Sequence, residues 1–162
     1  MSLRLSYFIG FIFTCALLAY GFYLQMFEGF IPCPLCTLQR ICFALVGIFM
    51  LFCGVFYRQR IIFYFMNTLA GVSSILGLFF SGRQIWLQHF PTTSNGECGV
   101  SLQYMLQALP INEVAFKVFS GSAECSKRGW VFLTFTMAEW SLICFLIFAV
   151  FIAYSFKKSR SH

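Results

Sequence analysis

Four long apolar runs separated by short polar stretches dominate the chain: residues 7–27, 37–57, 61–80 and about 138–156. Each is close to the roughly 20 residues that an α-helix needs to cross the hydrocarbon core of a bilayer. A bilayer offers no water to backbone N–H and C=O groups, so four such runs predict four spanning helices. Arg58-Gln59-Arg60 alone separates the second run from the third, which makes those two helices antiparallel neighbours. In the third run Ser73, Gly77 and Ser81 recur every four residues and give a small-residue face on which another helix packs closely. Ser81-Gly82-Arg83 then marks the predicted exit from that span.

Residues 28–36 form a brief loop and residues 81–137 a long one, both on the side opposite the termini. In the long loop, Pro91 to Gly96 is rich in turn-forming residues and leads to Cys98. Pro110 opens a segment with Ile111, Val114, Ala115, Val118 and Phe119 on one helical face and Asn112, Glu113 and Lys117 off it. That pattern predicts a short amphipathic helix on the membrane surface. The expected fold class is an all-α membrane protein, one domain over residues 1–162: a four-transmembrane-helix bundle whose long outer loop carries a short amphipathic helix. The first run is too long for a usual signal-peptide core and no clear small-x-small cleavage site follows it, so it is read as the first span.

Composition supports this reading. Of 162 residues, 60% are hydrophobic and only 10% charged, more apolar surface than a soluble domain of this size needs. The formal charge of +6 matters through its distribution. Arg4, Arg58, Arg60, Lys157, Lys158 and Arg160 fall on the side of the termini, with no acidic residue. Arg40, Arg83, Lys117, Lys127 and Arg128 fall on the other, beside Glu28, Glu97, Glu113, Glu124 and Glu139. The positive-inside rule assigns the first set, and both termini, to the cytoplasm. The basic charge is a topology signal and not a nucleic-acid footprint. Trp130, Trp140 and Tyr154 suit the interfacial belts, and Glu139 the outer rim of the fourth span.

The chemistry-bearing stretch is Cys33-Pro34-Leu35-Cys36, with Arg40 four residues on, where the first outer loop enters the second span. Pro32 and Pro34 hold the approach extended and start the helix at about Pro34 to Cys36. Cys36 then lies in the first turn, where unpaired backbone N–H groups and the helix dipole favour a thiolate. Arg40, one turn further along the same face, can reach an anion forming near it. A C-x-x-C pair is also half of a zinc site, with Cys98 and Cys125 as the other conceivable ligands, but no second C-x-x-C exists and redox chemistry is the better reading. Cys15, Cys42, Cys53 and Cys144 fall inside apolar spans and are read as small hydrophobes. His89 is either an interfacial residue or a group that donates hydrogen bonds or protons to a bound ligand.

Four spans, a C-x-x-C with a following arginine, the Arg83 to His89 stretch, and Gly121-Ser122-Ala123-Glu124-Cys125 leading through Trp130 to Glu139-Trp140 together resemble the DsbB family of bacterial inner-membrane thiol:quinone oxidoreductases. The resemblance covers nearly the whole chain. It implies an enzyme that reoxidises a DsbA-like, thioredoxin-fold periplasmic oxidase and passes two electrons to a membrane quinone, ubiquinone or menaquinone. By position, it implies that Cys98 and Cys125 meet DsbA, that Cys33 and Cys36 meet the quinone, and that Arg40 belongs to the quinone site. DsbA is a strong oxidant because its reduced form is stabilised, so its own oxidant needs a very favourable terminal acceptor. Two other readings stand beside this one: a related thiol oxidase serving another dithiol partner, and a tetraspan structural or adaptor protein whose outer cysteines staple its loops.

Overall fold

The computed structural model describes residues 3–27, 33–90, 110, 131–132 and 135–160. The segment expected to be an amphipathic helix after Pro110, together with Cys98, Cys125 and Trp130, lies outside the described residues. Four helices carry the architecture: α1 (Leu3–Phe27), α2 (Pro34–Val55), α3 (Arg60–His89) and α4 (Met137–Arg160). All four are long and apolar enough to cross a membrane. Ahead of α4, β1 (Val131–Phe132) and β2 (Phe135–Thr136) pair antiparallel, with Val131 opposite Thr136 and Phe132 opposite Phe135. This miniature hairpin was not expected from the apolar pattern, because two-residue strands are too short to show an alternation.

Helix α2 starts where the prolines predict, with Cys33 as its extended N-cap residue and Pro34 in the first helical position. Helix α3 departs from expectation. It has 30 residues and runs on through Ser81, Gly82 and Arg83 to His89, a stretch that polarity alone assigns to the long loop. A single interior glycine costs a helix only about 1 kcal/mol, and Gln84 to Gln88 contains no breaker. The helix stops where Pro91 follows: Phe90, at φ −123° and ψ 75°, has left the α region that the residue before a proline avoids. At about 1.5 Å per residue α3 is about 45 Å long, well beyond the roughly 30 Å hydrocarbon core.

Helix α4 opens on a capping box. The Thr136 backbone N–H donates to Glu139 Oε2 at 2.6 Å, and the Glu139 N–H donates to Thr136 Oγ1 at 3.4 Å. Glu139 is thereby held at the rim, half-buried, with Trp140 exposed next to it.

In the bundle, α2 packs on α1 and α3, and α3 packs on α4. The centre is aromatic: Phe43 of α2 stacks on Phe145 of α4, with ring centroids 3.9 Å apart and planes 17° from parallel. Gly77 on α3 makes this possible, since a Cβ there would run into the Phe145 ring. The small-residue face of α3 is thus a packing face, with Ser73, Gly77 and Ser81 all buried. Gly77→Ala is expected to destabilise the protein by about 1–3 kcal/mol through overpacking against a ring that is itself pinned. Gly71→Ala is the control, because its Cβ would meet only Ile152 Cγ2 at an ordinary 3.6 Å. Thermal unfolding in detergent compares the two, and equal behaviour would refute this account of Gly77.

A polar node ties three helices together away from the cysteine pair. The Tyr7 hydroxyl donates to Asn67 Oδ1 at 2.7 Å and shares a hydrogen bond with Ser155 Oγ, while Asn67 Nδ2 donates to the Ile152 carbonyl. Tyr7, Asn67 and Ser155 are all fully buried. Of the span cysteines, Cys42, Cys53 and Cys144 are buried as expected, but Cys15 is exposed on the outer face of α1. Position within an apolar run does not decide which face of a helix a residue occupies.

Candidate active site

The first turn of α2 brings the two sulfurs together. Pro34 has no N–H to satisfy and sets the helical φ. Cys33, just outside the helix, has its side chain turned back over the helix end. Its Sγ accepts the Cys36 backbone N–H at 3.2 Å, the position that a serine or aspartate oxygen commonly fills at a helix start. The Cys33 carbonyl accepts from the Thr37 N–H at 3.1 Å and from the Thr37 hydroxyl at 3.3 Å, which fixes the turn. The two sulfurs face each other 2.7 Å apart. Cys33 is buried, at 5% exposure, while Cys36 is half-buried. The free N–H of the first turn therefore serves Cys33, a detail that the expectation of a dipole-stabilised Cys36 did not contain.

The sulfur of Cys36 has a different donor. Gln84 Nε2, from the extended end of α3, donates to Cys36 Sγ at 3.1 Å. Gln84 Oε1 accepts in turn from Gln39 Nε2 of α2 at 2.7 Å. Both glutamines are buried, so a chain of hydrogen bonds joins α2, α3 and the sulfur inside the bundle. Ser81, one turn before Gln84, buries a hydroxyl with no hydrogen-bond partner among the described residues.

Arg40 was expected to lie over Cys36, but its hydrogen bonds go to α1. Its Nη1 donates to Gln25 Oε1 at 2.6 Å and its Nη2 to the Gly21 carbonyl at 3.0 Å. The guanidinium also stands over the Phe22 ring, 5.4 Å from its centroid. Four residues of helix bring Arg40 onto the face of Cys36, yet so long a side chain reaches the neighbouring helix as readily as its own first turn. His89, the last residue of α3, is exposed, with Nδ1 3.1 Å from the Ile85 carbonyl of its own helix.

Of the expected site residues, the structure brings Cys33 and Cys36 together, sets Arg40 half-buried against α1 and leaves His89 on the surface. Gln84 and Gln39 were missed by sequence reasoning. The signal available was that a polar amide in an apolar span normally faces the bundle interior and finds a partner there.

Comparison with known proteins bears on the whole chain. A family model described as "Disulfide bond formation protein DsbB" matches residues 3–155. The "Disulfide bond formation protein B" of Methylococcus capsulatus is 36% identical over 145 residues, covering 90% of this chain and 88% of that protein. The protein of the same name from Hahella chejuensis is 34% identical over 152 residues, covering 94% and 92%. That from Psychrobacter cryohalolentis is 39% identical over 129 residues, covering 78% and 72%. With four spanning-length helices and a paired C-x-x-C at the head of the second, the chain belongs to the DsbB family and is a multi-pass membrane oxidoreductase that forms disulfide bonds.

Proposed function

We propose that this protein takes electrons from the dithiol of a DsbA-like, thioredoxin-fold periplasmic oxidase and delivers them to a membrane quinone, ubiquinone or menaquinone. The observation that carries this reading is the dithiol at the head of α2. A half-buried Cys36 sulfur sits at the start of a spanning helix, with an amide donor on it and a buried cysteine as its partner. A water-soluble acceptor has poor access to such a sulfur, whereas a lipid-soluble one does not.

The residues around this pair suit a quinone, an apolar ring with two carbonyl acceptors. Gln84, Arg40 and the unpartnered Ser81 hydroxyl supply donors, and the exposed rings of Phe22 and Tyr23 on α1 and Trp86 on α3 supply apolar surface at the same end of the bundle. When bound, a quinone supplies a sink for two electrons and two protons. His89 is assigned a proton-donating role at the mouth of the site, and Arg40 the stabilisation of negative charge.

Electrons travel inward in pairs. A DsbA thiolate attacks the Cys98–Cys125 disulfide at Cys98 and releases Cys125, and the second DsbA thiol closes the DsbA disulfide by displacing Cys98. The Cys125 thiolate attacks Cys33 of the inner disulfide and releases Cys36; Cys98 then closes on Cys125 and frees Cys33. The inner dithiol loses two electrons and two protons as it returns to the disulfide. The charge distribution supports the sidedness this requires: cysteine pairs periplasmic, both termini cytoplasmic, in the inner membrane of a bacterium.

The test mixes the purified full-length protein with reduced DsbA and either quinone and follows quinone absorbance. Catalytic loss of that absorbance, dependent on DsbA, is expected. No turnover with either quinone would overturn the proposal.

A further inference from the structure

Gln84 holds its amide with a polarity that the packing alone does not require. Two buried glutamines facing each other across a helix pair are sufficiently explained as a membrane clamp. The third member of the chain changes this. Gln39 Nε2 points at Gln84 Oε1, 2.7 Å away, and that contact commits the other side of the Gln84 amide, Nε2, to Cys36 Sγ at 3.1 Å. A donor aimed at a sulfur favours its charged form, and in a buried setting with little competing water it does so more strongly.

We propose that Gln84 is a catalytic residue that stabilises negative charge on Cys36, and that Gln39 is its positioning residue, fixing which end of the Gln84 amide faces the sulfur. The proposal rests on the reading of Cys33 and Cys36 as the inner redox pair. It gives the two sulfurs separate supports: Cys33 is served by the backbone N–H at the helix start, Cys36 by a side chain from α3. Attack on Cys33 then expels the sulfur that already has a donor in place, and a stabilised thiolate leaves faster.

The experiment measures the pH dependence of Cys36 alkylation by iodoacetamide in the full-length protein, in a Cys33→Ala background where Cys36 is the only thiol of its pair. Peptide mass spectrometry reads Cys36 alone. A hydrogen bond to a charged group has a strength that corresponds to about one pH unit. Gln84→Met, which keeps length and loses the amide, is expected to move the midpoint up by about one unit. Gln39→Met is expected to move it up by less, because Gln84 keeps its donor but loses its orientation. In the Gln84→Met background, Gln39→Met is expected to add nothing, since it acts only through Gln84.

An unchanged midpoint in a folded Gln84→Met protein overturns the proposal. So does a downward shift, which would mean that the carbonyl and not the NH2 faces the sulfur, and so does a Gln39→Met shift that persists without Gln84. Where Gln84→Met fails to fold, Gln39→Met alone decides, because a clamp without chemistry lowers the unfolding temperature and leaves the midpoint in place. Alkylation needs neither DsbA nor quinone, so this result and the turnover assay fail independently.

Discussion

Cys36→Ala is expected to lower steady-state quinone reduction by roughly 1000-fold or more, the scale of loss when one member of a catalytic unit is removed. The reason lies in the geometry at the head of α2, where the two sulfurs face each other: a disulfide between them accepts two electrons in each cycle and the dithiol so formed holds them until they are passed on. A lone Cys33 can form a mixed disulfide with Cys125 but cannot resolve it inward. Cys33→Ala is expected to be equally inactive, and the double substitution no worse than either single one, because a dithiol works as a pair. On the proposed route a single round of DsbA oxidation should survive in all three variants, since an outer Cys98–Cys125 disulfide would be consumed once before the inner pair is needed. Rapid-mixing measurements of DsbA thiols separate that round from turnover. Residual turnover above about a tenth of normal in any of the three would place the inner redox centre elsewhere.

Arg40→Ala should divide the two half-reactions. Removing one donor from a site of developing negative charge commonly costs about 100-fold or more in rate, so quinone reduction should fall by about that much, while exchange with DsbA stays within about twofold. Arg40→Lys should recover only part of the loss, having a point charge but no planar fork to bridge Gln25 and the Gly21 carbonyl. Alanine also leaves those two acceptors without their donor, at a stability cost of about 1–3 kcal/mol, so unfolding must be followed alongside activity. If both half-reactions decline together in step with stability, Arg40 clamps α1 to α2 and has no part in the chemistry.

What the amino-acid order made legible was whatever depends on local pattern. Spans appear as apolar runs, and the start of α2 follows from Pro34 because a proline acts on its own backbone. The T-x-x-E of Thr136 and Glu139 is equally local, a helix-start signal just ahead of an apolar run, but it was passed over, and Glu139 was placed only at the rim of the fourth span. The end of α3 was misjudged because Ser81-Gly82-Arg83 is polar, and polarity reports the solvent around a helix rather than whether the helix continues. Gln84 and Arg40 show the deeper limit. Gln84 meets residues 45 and 48 positions away, and Arg40 meets one 19 positions away, so their partners depend on which helices are neighbours and how far each is rotated. Cys15 faces outward for the same reason.

The buried node of Tyr7, Asn67 and Ser155 also has a bearing on biogenesis. Tyr7 enters the membrane with the first helix, and its partners lie 60 and 148 residues downstream. At about 5–20 residues per second, the last of them emerges some 7–30 s later. Until then Tyr7 has only its Asn67 partner and the Asn67 Nδ2 lacks the Ile152 carbonyl it donates to, in a setting where an unsatisfied polar group is costly. Tyr7→Phe should therefore shorten the cellular half-life of the full chain, which loses two hydrogen bonds, and a chain truncated after residue 136, which has lost the Ser155 and Ile152 contacts already, should be short-lived with either residue, as pulse-chase labelling would detect. The node is complete only once α1, α3 and α4 are all in place, which ties the last buried polar contacts of the bundle to the end of synthesis.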